Sequence, residues 1–264
     1  LRNGIIALDV DGTLLNDDHE LTPRVRDAVR SAARKGAEIV LCTGRGSISA
    51  LPILEALGLE GTMITHNGAS IVDSATRTVL YEAEISHELA QRYVDYCLER
   101  QIHFDMNTSF ELYVYQLDDA VSRMYDNHKA RPTLRPVRAG LPEHVVKLSV
   151  YDENKARIDA VEEEWRLWQH ELQCIRSGDC FIDIQHPQAT KGDSLARLCE
   201  LRGVSRTNVV AIGNYYNDIG MITFAGHGVA MANSPQEVLA AADEVAPSNN
   251  EDGVAVILER LGLA

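Results

Sequence analysis

The sequence predicts an α/β protein, a doubly wound parallel sheet with an α+β module inserted between its two halves. Three observations carry that expectation. At both ends of the chain, strand-like apolar runs alternate with helix-like segments through connections of a few residues, the pattern of right-handed crossovers onto a parallel sheet. The apolar runs there are continuous, as in strands covered on both faces. From about residue 82 to 187 hairpins and helices take over, so domains are expected at 1–81 with 188–264, and at 82–187.

The first run, Ile5-Ile6-Ala7-Leu8, ends in Asp9-Val10-Asp11-Gly12-Thr13, so a buried strand delivers two acids to a sheet edge. Thr22-Pro23 reads as an N-cap followed by proline at the first helical position, with the helix expected to run to Lys35 and stop at Gly36. Glu38 to Cys42 is a second strand, ending in Thr43-Gly44-Arg45. A helix to Leu57 and a short strand Met63 to Thr65 follow, then His66-Asn67-Gly68.

In the middle block, Ser70 to Leu80 reads as a hairpin, Ser86 to Gln101 as a helix and Phe104 to Tyr115 as two short strands. Pro132, Pro136, Gly140 and Pro142 mark an irregular crossing. A strand from Val145 to Val150, a helix from about Asn154 to His170, and strands Leu172 to Arg176 and Cys180 to Gln185 complete the block.

Parallel-sheet grammar returns with a helix opened by Thr190-Lys191-Gly192 and a strand Asn208 to Ile212, which ends in Gly213-Asn214-Tyr215-Tyr216-Asn217-Asp218. Ile219 to Phe224 resumes an apolar helix face. Gly228 to Met231 is a strand, Ser234 to Glu237 has a capping-box pattern, Asp243 to Val245 is an edge strand and Gly253 to Leu261 a last helix.

Composition narrows the function. A formal net charge of −14 argues against nucleic acid or an anionic membrane surface as partner, since both reward clustered Lys and Arg. No apolar run approaches the roughly 18 residues of a membrane span. The five cysteines are scattered with no CxxC pair, which suits neither a zinc site nor a disulfide framework. Leu1 to Gly4 leads straight into the first run with no signal-peptide pattern, and the expectation is a cytoplasmic protein.

Three strands thus end in polar loops, Asp9/Asp11, Thr43/Arg45 and Asn214/Asp218, with Lys191 at a helix start. In doubly wound sheets ligands bind at the carboxyl ends of strands about 5 Å apart, so these loops can meet on one small group. Carboxylates, a lysine, a hydroxyl and amides suit a phosphate held beside Mg²⁺. Each residue taken alone also has a structural reading: Asp-x-Asp-Gly as a turn, Thr43 as a helix cap, Lys191 as a solvated lysine. Arg45 could touch phosphate, the inserted module or an acid, and Asn67 could be a substrate-side contact or a turn residue before Gly68, the turn being the reading taken.

Taken together, Asp9-Val10-Asp11-Gly12-Thr13, Thr43-Gly44-Arg45, Lys191-Gly192 and Gly213 to Met221 resemble the ordered motifs of the haloacid dehalogenase superfamily, in particular its Cof-type phosphatases. The resemblance implies a Rossmann-like core with a large C2-type α+β cap. It implies that Asp9 attacks phosphorus to form an aspartyl-phosphate, and that Asp11 acts as acid and base. Thr43, Gly44, Lys191 and Asn217 would bind phosphate, and Asp9, Asp11, Asn214 and Asp218 would hold Mg²⁺.

The family normally has Asp where this chain has Asn214, which removes one charge from the metal site. The expected function is a Mg²⁺-dependent phosphatase of small, sugar-phosphate-like metabolites, as a monomer or homodimer. The alternatives are a phosphomutase or phosphotransferase, and a phosphometabolite-binding protein weakened in catalysis by Asn214. Phe104, Tyr113, Tyr115, His128 and His186 could line the substrate pocket, and none is singled out. Tyr215 and Tyr216 sit beside the site.

Overall fold

The computed structural model describes residues 4–127, 130–168 and 171–264. The first part of the core contains β1 (Ile5–Leu8), α1 (Pro23–Arg34), β2 (Glu38–Cys42), α2 (Ser47–Ala56), β3 (Thr62–Thr65), β4 (Ser70–Asp73) and β5 (Thr78–Glu82). There follow α3 (His87–Arg100), β6 (His103–Asn107), β7 (Leu112–Val114), α4 (Asp119–Asn127), β8 (Thr133–Leu134), β9 (Lys147–Tyr151), α5 (Lys155–Arg166), β10 (Gln173–Gly178) and β11 (Phe181–Gln185). The last part contains α6 (Lys191–Arg202), β12 (Val209–Gly213), α7 (Ile219–Phe224), β13 (His227–Met231), α8 (Gln236–Ala241), β14 (Glu244–Ala246) and α9 (Gly253–Arg260).

The large sheet has the order β14-β13-β12-β1-β2-β3-β4-β5. It is parallel through β3, and β4 and β5 add an antiparallel edge. The continuous apolar run of β1 is explained by its central place: Ile6 and Leu8 join the core under α1 and α9, while Ile5 and Ala7 join the core under α6 and α7. A side chain such as Leu8, buried completely, contributes about 1.5–3 kcal/mol. Parallel register sets Leu8 beside both Ile212 and Leu41, so the loops after β1, β2 and β12 emerge side by side.

The second sheet has the order β10-β11-β9-β6-β7-β8. Its strands alternate: Phe104, Met106, Leu148, Val150, Ile182 and Ile184 pack under α3 and α5 around Tyr93 and Trp165. Asp105, Asn107, Ser149, Asp183 and Gln185 line the opposite face, and that face is buried too. Polar contacts join the two sheets. Ser109 Oγ donates to Ser70 Oγ at 2.8 Å, Ser47 Oγ to the Ser109 carbonyl, and Gln185 Nε2 to the His66 carbonyl at 2.5 Å.

The doubly wound α/β architecture is the one the sequence predicts, with local differences. Helix α4 occupies a stretch to which the sequence reading assigns no element, although its apolar residues Val121, Met124 and Tyr125 fall at helical spacing over a single turn. The capping box expected at Ser234–Glu237 does not form: Pro235 is the N-cap of α8, so no Ser234 side-chain bond starts the helix. The strand expected from Val145 begins at Lys147, because the Val145 carbonyl is used by the Ile85 amide. Cys174 stands opposite Ile184 and so does not face Cys180 across the hairpin. His128 and the helix end expected at His170 lie outside the described residues.

Candidate active site

The loops at the carboxyl ends of β1, β2 and β12 enclose a cavity of about 450 Å³ lined by Asp9, Asp11, Thr43, Gly44, Arg45, Asn214, Tyr215 and Asn217. Asp9 stands at the tip of β1, where its backbone N–H still donates to the Ile212 carbonyl at 3.0 Å. Its side chain is therefore fixed by the sheet and not by a mobile loop.

Directly beneath lies Lys191, the first residue of α6, with 1% of its surface exposed. Its Nζ donates to Asp9 Oδ1 at 2.7 Å and to Asp218 Oδ1 at 2.6 Å. A cation at a helix N-terminus opposes the dipole, and a buried one needs paired acids. Burial alone would lower Lys191, but the two carboxylates outweigh it and hold the ammonium above its ordinary value. Burial pushes Asp9 up to about 6, helped by the Asp218 charge and opposed by Lys191. Two acids share one ammonium, so the pocket floor remains short of positive charge.

Asp218 has no exposed surface. Its Oδ2 accepts from the backbone N–H groups of Asn214 at 2.9 Å and Tyr215 at 3.0 Å, so it holds the loop after β12 in shape. A Cβ at Gly213 would lie 2.6 Å from the Asp218 side chain, which is why glycine precedes this loop. Of the expected site residues, Lys191 and Asp218 support the cavity from below, while the others line it.

Asp11 lines the cavity beside Arg45. Its carboxylate is paired with Arg45 through two bonds, Nε to Oδ2 at 2.8 Å and a terminal nitrogen to Oδ1 at 2.5 Å. Of the partners considered for Arg45, the structure shows the acid. Thr43 is buried, and its Oγ1 accepts from the Arg45 N–H at 3.0 Å. Thr43 does not cap the next helix, since the N-cap of α2 is Gly46. Among the described residues no acceptor takes its hydroxyl proton, which is left for the cavity.

Asn67 is the residue whose place the sequence does not reveal. The turn 66–68 is tied to the loop after β2 by Asn67 N–H to the Thr43 carbonyl at 3.0 Å and His66 N–H to the Arg45 carbonyl at 2.9 Å. Asn67 Oδ1 accepts from Asn217 Nδ2 at 2.9 Å, and a Cβ at Gly44 would approach it to 2.9 Å. Glycine at 44 thus admits an amide pair that closes one wall. The only signal was Asn before Gly, which ordinarily marks a turn.

At Asn214 the end of the amide that faces Asp9 lies 3.0 Å from Asp9 Oδ2 and 3.1 Å from the Asp11 carbonyl oxygen. With oxygen at that end, Asn214 would be a third hard donor about 3 Å from each of the other two, about the edge of an octahedron with ~2.1 Å metal–oxygen bonds. The donor set therefore fits a small hard dication such as Mg²⁺. Charge is its weakness, because of these three donors only Asp9 contributes a carboxylate.

The sequence model described as haloacid dehalogenase-like hydrolase matches residues 6–258, and the four loops that meet here are the stretches that carry the resemblance. The chain belongs to the haloacid dehalogenase-like hydrolases. Within that superfamily it is a Cof-type phosphoric monoester hydrolase. YxeH of Bacillus subtilis is 36% identical over 269 residues, 98% of this chain and 98% of that one. The 5-amino-6-(5-phospho-D-ribitylamino)uracil phosphatase YcsE of the same organism is 31% identical over 256 residues, 95% of this chain and 92% of that one. The crystal structure of a haloacid dehalogenase-like hydrolase from Bacteroides thetaiotaomicron superposes with a TM-score of 0.88 at 28% identity, covering 98% of this chain and 100% of that chain.

Among the described residues, the hydrolase's middle block contributes no side chain to the cavity lining. Phe104 packs edge-on against Tyr115 at 5.5 Å, Tyr113 lies under the Arg135 guanidinium, and His186 Nδ1 accepts from the Gln188 N–H. Tyr215 does line the cavity and meets Tyr216 edge-on at 5.0 Å. Among the described residues no helix is long and apolar enough to cross a membrane.

Proposed function

We propose that this hydrolase is a Mg²⁺-dependent phosphatase of small, sugar-phosphate-like metabolites that works through an aspartyl-phosphate on Asp9. The observation that supports it most is the state of Asp9: one oxygen is held by Lys191 at 2.7 Å, and the other faces the Asn214 side of the cavity. A carboxylate fixed in this way is oriented for in-line attack, and orientation is most of what phosphoryl transfer requires.

In the first step an Asp9 oxygen bonds to phosphorus as the ester oxygen leaves, and Asp11, protonated on an oxygen released from Arg45, gives that proton to the leaving oxygen. In the second, Asp11 takes a proton from water, the water oxygen bonds to phosphorus and the Asp9–phosphorus bond breaks. Thr43, the Gly44 backbone and Asn217 hold the phosphoryl oxygens, and Lys191 offsets charge at Asp9. Asp9, the Asp11 carbonyl and Asn214 would hold Mg²⁺, with Asp218 adding negative charge behind them. When bound, the ion supplies Lewis-acid charge to the transferring group.

Residues 82–187 act as a cap that chooses the leaving group over a core of 1–81 and 188–264. That YcsE acts on a phosphorylated ribityl compound supports a polyol or sugar phosphate as substrate class. Hydrolysis of p-nitrophenyl phosphate with and without Mg²⁺, followed by a panel of phosphorylated metabolites, tests the reading. Hydrolysis indifferent to Mg²⁺, or absent with every ester, would overturn it.

A further inference from the structure

The inward end of the Asn214 amide is surrounded by Asp9 Oδ2 at 3.0 Å, the Asp11 carbonyl oxygen at 3.1 Å and Thr13 Oγ1 at 3.1 Å. An amide end is either a nitrogen with two protons or an oxygen with none. Beside a carboxylate and a carbonyl, nitrogen makes hydrogen bonds, one of them charge-assisted, whereas oxygen meets two acceptors. Thr13 suits both states, because its hydroxyl accepts from a nitrogen and donates to an oxygen. A cation between Asp9 and the Asp11 carbonyl reverses the preference and selects the oxygen.

The turn is isosteric, since it exchanges an oxygen for an NH₂ group within one planar amide. Gly12, with φ of 77°, borders its far side, and a Cβ there would lie 2.4 Å from the amide. Any residue but glycine at 12 would push the Asn214 side chain out of this position.

We propose that Asn214 is a two-position amide: nitrogen inward, it closes the site over Asp9 without a cation, and oxygen inward, it completes the Mg²⁺ site. This rests on the reading of the cluster as the phosphoryl-transfer site. An aspartate at 214 has only the second position, because its carboxylate would stand beside that of Asp9 and be repelled unless a cation separated them. Asparagine makes the ion optional for the order of the site and weakens its binding, since the incoming ion must displace hydrogen bonds that the metal-free chain already makes.

The experiment follows the Asn214 side-chain NH₂ pair by NMR in protein labelled at asparagine, with the pair assigned by its loss in Asn214→Asp. Asn214→Ala supplies the assignment if the aspartate variant does not fold in EDTA. Calorimetric Mg²⁺ titrations run in parallel. In EDTA the pair exchanges with water at least about tenfold more slowly than exposed asparagines, and on saturation with Mg²⁺ it shifts and loses that protection. Asn214→Asp binds Mg²⁺ about tenfold or more tightly than the wild type, as expected when a ligand gains charge. Free exchange in EDTA, a pair unmoved while calorimetry registers Mg²⁺, or equal affinity in both proteins would overturn the proposal. No substrate enters these measurements, so a protein that switches but hydrolyses no ester would refute the phosphatase reading alone.

Discussion

Lys191 Nζ lies 2.7 Å from Asp9 Oδ1, joining the first residue of α6 to the tip of β1 across 182 positions of sequence. The same ammonium holds Asp218, so its removal strands two buried carboxylates. Lys191→Met is expected to destabilise the fold by about 3–5 kcal/mol at pH 7.5, the usual cost of breaking one side of a buried ion pair. The loss shrinks toward pH 5, where Asp9, already raised by burial, takes up a proton. Urea denaturation at the two pH values measures it.

Arg45 holds Asp11 by two bonds but is itself about a third exposed. Exposed pairs stabilise little, so Arg45→Lys is expected to change stability by less than about 1 kcal/mol. Lysine is a point charge without the planar fork, so Asp11 loses its fixed orientation. The expected outcome is a kcat lowered about tenfold or more with KM changed less, in keeping with general acid–base contributions of roughly 10²–10⁴. Steady-state kinetics beside a denaturation curve separates the two effects.

His66 sets an acid limit on stability. Burial, with Lys147 nearby, drops it to about 3, so it stays neutral in the fold. Unfolded, it would titrate near 6.5, so as pH falls below that value the unfolded chain gains the proton first. The stability that His66 contributes is complete above pH 6.5 and is lost as pH falls toward 3. At pH 5 the loss is about 2 kcal/mol, at about 1.4 kcal/mol per unit. His66→Asn, which tolerates the left-handed backbone at φ of 51°, is expected to show a shallower decline between pH 7 and 5 in equilibrium denaturation.

The parts of the site legible in the sequence are those that end strands. Asp9, Thr43 and Asn214 follow apolar runs that only a sheet buried on both faces explains, so their meeting at one edge follows from topology. Asn67 was not legible because its partner Asn217 lies 150 positions away, and Asn-Gly says turn whether or not an amide reaches a cavity. Neither was the Arg45 pairing, since an arginine after a strand has the reach to serve a ligand or an acid equally well. Helix α4 escaped although Val121, Met124 and Tyr125 stand at i, i+3 and i+4, because that helical stripe spans little more than one turn.

The central claim is covalent chemistry at Asp9. A single-turnover reaction with a radiolabelled phosphate ester, quenched in acid and digested, tests it most directly. The account predicts label on the peptide that contains Asp9, rising and falling ahead of free phosphate, and neither label nor turnover in Asp9→Asn. Phosphate release at the normal rate with no protein-bound label, or undiminished turnover in Asp9→Asn, would contradict it.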